Sequence, residues 1–159
     1  MSQDILLLTA LIAVILMGSA MCSGIEAALL AVNPLRVHEL ARRKPKVIGA
    51  RRLEKLRHRI GRTLTVVTIA NNSFNIFGSL MVGSYATYIF QDRIGNVKSI
   101  FFVGLTILVL LLGEIVPKAL GTRLSLQISL TSAPVLDFLS IVMRPLLIVL
   151  ERLLPIITA

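Results

Sequence analysis

Glu114 follows a run from Ser99 to Gly113 that holds no other charge. It sits in the segment Gly113-Glu114-Ile115-Val116-Pro117-Lys118. A carboxylate beside so apolar a run costs at least ~2.5 kcal/mol to hold at a helix centre in lipid, which makes it a functional candidate. Pro117 has no N–H, so in a helix the Gly113 carbonyl would lose its partner. A carboxylate and a freed carbonyl would then stand on adjacent residues, and hard cations bind such oxygens. The competing reading is internal. Lys118 stands four residues on and can neutralise Glu114 as a same-face pair, or it can extend to the headgroups and leave the carboxylate free.

Two further polar clusters interrupt apolar segments. In Cys22-Ser23-Gly24-Ile25-Glu26, Ser23 and Glu26 share a helix face. Gly24 allows another backbone to approach or the helix to unwind locally. Glu26 reads either as a second functional carboxylate or as a boundary acid paired with a basic residue of the next segment. Ser23 reads equally as a ligand or as a packing hydroxyl. In Asn71-Asn72-Ser73-Phe74-Asn75, continued by Ser79, Asn71, Asn75 and Ser79 follow at four-residue intervals and form a polar stripe beside Gly78. Amide oxygens suit Mg2+, Ca2+ or Na+. The alternative, interhelical hydrogen bonding, is worth only ~0.6 kcal/mol per bond in membranes.

The elements that must position these groups are membrane helices. The chain is 55% hydrophobic with a mean hydropathy of +0.85, well above a soluble domain. A span needs about 20 mostly apolar residues, and residues 5–32, 63–90 and 99–116 qualify. Residues 124–157 are apolar too, but Pro134, Pro145 and Pro155 interrupt them, and Asp137, Arg144, Glu151 and Arg152 add charge. Short broken or interfacial helices are expected there. The fold class is therefore an all-α membrane protein with three transmembrane helices.

All of the net charge of +9 lies in residues 33–62, which hold 11 Lys/Arg and two Glu. A short basic loop between spans marks the cytoplasmic side. The N-terminus is then expected outside, the loop near 91–98 outside, and the basic loop and C-terminus inside the cell. Within the basic segment, 34–43 and 51–62 read as short helices, with Leu53, Leu56 and Ile60 at helical spacing. A helical hairpin against anionic lipid headgroups is expected. With the three clusters at similar depths, a shared pocket open toward the cytoplasm follows.

Other classes fall away. The basic segment has no aromatic residue to stack on bases, so no nucleic-acid partner is expected. The start of the chain lacks the positive n-region of a signal peptide. The single Cys22 forms no intramolecular disulfide and reads as a small packing residue. His38 and His58 lie in the basic segment, and neither a His-Glu-x-x-His nor a Gly-x-Ser-x-Gly pattern is present. No enzyme is expected.

Taken in order, Ser-Gly-x-Glu at 23–26, Asn-Asn-x-x-Asn at 71–75 and Gly-Glu-x-x-Pro-Lys at 113–118 resemble the transmembrane domain of the CorC/cyclin-M (CNNM) magnesium transporters. The resemblance covers essentially the whole chain, including the basic segment between spans one and two. It implies a homodimer in the cell (inner or plasma) membrane that exports Mg2+, coupled to Na+ entry. It also implies a downstream pair of cytoplasmic CBS domains, so the chain reads as a piece of a longer protein. Carried over by motif, Ser23, Gly24, Asn75, Gly113 and Glu114 would form the ion site, with Ser79 a further ligand on the same face. Glu26, Asn71, Asn72, Pro117 and Lys118 would stand behind them or substitute for them. Ser73 and Phe74 occupy positions often aliphatic in the family. The alternative function is a regulatory or Mg2+-sensing membrane scaffold that moves no ion.

Overall fold

Uninterrupted apolar sequence produces the two longest elements of the computed structural model, which describes residues 2–43, 47, 49–90 and 95–149. They are α1 (Ser2–Ala31) and α4 (Ile60–Ile89), each 30 residues and so about 45 Å long, more than the thickness of a hydrocarbon core. They lie side by side and antiparallel. Leu8 and Ile15 of α1 meet Val82 and Ala86 of α4 at one end, while Leu29 and Val32 meet Val67 at the other.

Asn33 sets the exit from α1. Its side-chain oxygen accepts from the Leu35 N–H at 2.9 Å, and Pro34 occupies the first helical position of α2 (Pro34–Arg43). Both choices favour a helix start there. The basic segment then folds back as α3 (Ala50–Arg57). The expected helix over 51–62 is split: α3 ends before His58, and α4 begins at Ile60, which still packs against the same core. Val37, Leu53 and Leu56 are buried against Leu29, Val32, Ala133 and Leu136. Arg36, Arg42, Arg43, Arg51, Arg52 and Lys55 stay exposed. Arg57 turns inward instead. Its Nη1 donates to the carbonyls of Leu29 at 2.8 Å and Val32 at 3.2 Å, which places a cation on the negative end of α1.

The third long rod is composite. It comprises α5 (Gly95–Leu108), a π segment (Val109–Ile115) and α6 (Val116–Arg123). The expected span stopped at 116, but the helix continues through Pro117. The widened turn just before the proline explains this. The Val116 N–H bonds back to the Leu111 carbonyl, a five-residue step that shifts the ladder where proline cannot donate. Next, α7 (Ser125–Val142) carries Pro134 without ending. The break falls at Met143, and residues 144–149 are again helical. Glu151, Arg152, Pro155 and the start of the 91–98 loop lie outside the described residues. Among the described residues the chain is all-α.

Among the described residues, three helical stretches are long and apolar enough to cross a membrane: Gln3–Ala31, Lys98–Arg123 and Ser125–Val142, the last where short broken or interfacial helices were expected. α4 has the length, but its asparagines lower its hydropathy. The outer faces of all four rods are apolar, as at Leu6 (71% exposed), Phe77 (66%), Ile100 (73%) and Phe138 (67%). Apolar surface this extensive is a lipid-facing surface, and the chain is a membrane protein. Cys22 is a half-buried free thiol packed against the core at the basic end.

Candidate cation site

Hydroxyls in lipid must find acceptors, and most here find them on their own helix. Thr9, Thr65, Ser73, Ser84, Thr87 and Thr106 each donate to the carbonyl four residues back. Ser19 and Ser23 on α1 reach across instead. The Ser19 Oγ lies 2.8 Å from Asn75 Oδ1, 3.2 Å from Asn71 Oδ1 and 3.4 Å from the Gly113 carbonyl. The Ser23 Oγ lies 3.4 Å from Asn71 Oδ1. Ser19, Ser23 and Asn71 are buried.

Each partner is placed by a local rule. Ser19 and Ser23 are one turn apart on α1, as Asn71 and Asn75 are on α4, so each pair faces one side. Gly113 lies in the π segment, four residues before Pro117, and its carbonyl faces the Ser19 hydroxyl. A Cβ at Gly113 would stand 3.4 Å from the Ser19 Oγ, an ordinary contact. The same rod crosses α1 again lower down. A Cβ on Gly121 would collide with the Gly24 carbonyl, and one on Gly24 would meet the Pro117 carbonyl oxygen at 3.4 Å.

The cluster is rich in acceptors. Two hydroxyl protons serve the oxygens of Asn71, Asn75 and Gly113, and each hydroxyl donates to one at a time. Among the described residues no three His, Cys, Asp or Glu side chains gather. The donor set is therefore neutral oxygen, suited to a hard cation rather than a transition metal.

Glu114 stands beside this cluster rather than within its hydrogen bonds. Its Oε1 accepts from Lys118 Nζ at 2.7 Å, with the two side chains 40% and 41% exposed. It also lines a cavity of about 300 Å³ with Asn75, Ser79, Ile15, Val82 and Phe102. The Ser79 hydroxyl donates to the Asn75 backbone carbonyl. Glu26 Oε1 accepts from Thr68 Oγ1 at 2.8 Å. Asn72 points to the outside of α4 and is exposed.

So the structure brings Ser23, Asn71, Asn75 and Gly113 together, and it puts Ser79 and Glu114 on an adjoining cavity wall. Gly24 and Pro117 meet at a helix crossing. Ser19, the hub of the cluster, was missed by the motif reading. Its signal was present: it shares a helix face with Ser23 four residues later.

Residues 10–159 match the family described as the cyclin M transmembrane N-terminal domain. The chain is 36% identical over 147 residues to the UPF0053 protein sll1254 of Synechocystis, covering 92% of this chain and 41% of that protein. It is 29% identical over 136 residues to the UPF0053 inner membrane protein YfjD of Escherichia coli, covering 85% of this chain and 30% of that protein. The chain thus spans less than half the length of either relative.

Proposed function

The chain belongs to the cyclin M transmembrane-domain family, and from that premise we propose that it carries Mg2+ across a cell membrane through the oxygen cluster between α1, α4 and the π segment. The observation that carries this reading is the Ser19 hub. Adjacent ligands of an octahedron with metal–oxygen distances of ~2.1 Å are about 3.0 Å apart. The contacts from Ser19 Oγ to Asn75, Asn71 and Gly113 span 2.8 to 3.4 Å. A dication at their centre would replace hydroxyl hydrogen bonds with ion–oxygen contacts while the backbones kept their spacing. Glu114, one cavity wall away, supplies a single negative charge. One charge on a dication limits affinity, which a carrier needs in order to release its cargo.

In this reading the basic hairpin lies on the cytoplasmic side against anionic headgroups, with the N-terminus outside. The site loads from the cytoplasm, and Na+ entry drives the return. Two copies form the working unit, and CBS domains follow in the full-length protein. Mg2+ efflux from loaded cells or proteoliposomes tests the assignment: Glu114→Gln and Asn75→Ala should both slow it severely, and wild-type rates in both variants would sink it.

One observation favours a second reading. Glu114 is already neutralised by Lys118 at 2.7 Å, as a helix-stabilising pair in a non-transporting, Mg2+-sensing scaffold would be. A scaffold binds Mg2+ without flux, so proteoliposome transport separates the two.

A further inference from the structure

Lys118 links two cavities, one through its ion pair with Glu114 and one that it lines itself. Its ammonium lies 2.7 Å from Glu114 Oε1, and Glu114 faces the cavity that holds Asn75 and Ser79. Its stem borders a second cavity of about 530 Å³, whose wall also includes Glu26, Ala27, Leu30 and Thr122. Lys118 is therefore paired with one carboxylate and shares a cavity with a second. Glu26 uses its Oε1 to accept from the neutral Thr68 hydroxyl at 2.8 Å. The side chain between the two acids is the flexible one: a four-carbon stem ending in three rotatable donors.

We propose that Lys118 is a tethered competitor of the transported cation, occupying Glu114 when the site is empty and passing to Glu26 when the ion arrives. This rests on the Mg2+ site proposed above. An ammonium and a dication on the same carboxylate repel each other, so occupancy of Glu114 is exclusive. With Glu26 across a shared cavity, the displaced ammonium keeps a counter-charge inside a low-dielectric region instead of being left unpaired. The exchange adds no net charge beyond the ion's own. It also gives release a device: the returning Lys118 ammonium takes back the carboxylate as the ion leaves.

The test is a double-mutant cycle on the full chain, purified in detergent, with Mg2+ binding measured by calorimetry. Lys118→Met removes the competitor and should tighten Mg2+ binding about fivefold, the size expected for a partly exposed ion pair. Efflux in proteoliposomes should slow in the same variant, because release loses its competitor. Glu26→Gln removes the second resting place and should weaken binding by a similar factor. In the Lys118→Met background Glu26→Gln should have no further effect, because there is no ammonium left to park. Lys118→Arg keeps a cation beside Glu114 and should not show the tightening of Lys118→Met, which also reports that the fold tolerates change at this position.

Unchanged or weakened binding in Lys118→Met would overturn the proposal. So would equal effects of Glu26→Gln in both backgrounds, which would make Glu26 only a distant charge. If Asn75→Ala and Glu114→Gln also leave binding untouched, the site itself is wrong. If they abolish binding while Lys118→Met does not tighten it, the site stands and the competitor role fails.

Discussion

Around Ser19, neutral oxygens from α1, α4 and the π segment converge, and two serine hydroxyls are shared among three acceptors. Nearby, Glu114 pairs with Lys118 along the composite rod, and Glu26 of α1 accepts from Thr68 of α4. The two regions handle polarity in lipid in opposite ways. Formal charges are expensive there, and each is given a partner close at hand, an ammonium for Glu114 and a hydroxyl for Glu26. Neutral oxygens are cheaper, and the fold crowds them around one hydroxyl. On the proposed reading the site keeps most of its ligands in groups that cost little when no ion is present, and Glu114 covered by a tethered cation.

The largest effect should come from thinning the neutral cluster. Ser19→Ala and Asn75→Ala should each lower Mg2+ affinity by at least about tenfold, the scale seen when oxygens supporting a bound metal are removed. Calorimetric titration reads this directly. If Glu114→Gln abolishes binding while both of these variants bind normally, the contrast reverses: the charged region would be the site and the Ser19 cluster only helix glue.

Packing that holds the two regions in register comes next. Gly121 lies against the Gly24 carbonyl with no room for a Cβ. Gly121→Ala should push α6 off α1 and destabilise the protein by about 1–3 kcal/mol, seen as a lower unfolding midpoint in detergent. Because the same rod carries Gly113 and Glu114, Mg2+ binding should weaken as well. An unchanged midpoint would show that the crossing is looser than the geometry implies. At the basic end, Arg57→Met removes donors from the last carbonyls of α1 and should cost about 1–2 kcal/mol with little change in ion affinity, since the cluster lies further along α1. A matching loss of affinity would tie the hairpin to the site.

Much of this was legible in the sequence, and the gaps have physical causes. The helices at 34–43 and over the long apolar runs follow from caps and hydropathy. The Gly113 carbonyl does face a hydroxyl on another helix, but proline chemistry alone does not place it, because the step from Val116 to Leu111 shifts the ladder by one residue. The π segment was not legible, because proline signals only that a ladder bond is lost, not whether the helix breaks or widens. Asn72 was grouped with its neighbours by motif, yet it sits about 100° round the helix from Asn71 and faces outward. Ser19 was overlooked because a single serine in an apolar helix has a ready local acceptor four residues back. Only the tertiary arrangement shows that its hydroxyl reaches across to α4 and Gly113.

Ser73 gives the sharpest small test of that distinction. It sits in the middle of the asparagine motif, one turn or less from Asn71 and Asn75, but its hydroxyl donates to the Ile69 carbonyl at 2.8 Å on its own helix. Composition alone ranks Ser73 above Ser19 as a ligand; geometry ranks it below. Ser73→Ala should leave Mg2+ affinity unchanged and shift stability by no more than ~0.5 kcal/mol, whereas Ser19→Ala should lose binding. If the two serines prove equal, polarity near the motif is all that matters, and the direction in which a hydroxyl donates tells nothing about the site. If they differ as expected, donation away from a residue's own helix is the physical mark that separates a site hydroxyl from a structural one in this membrane domain.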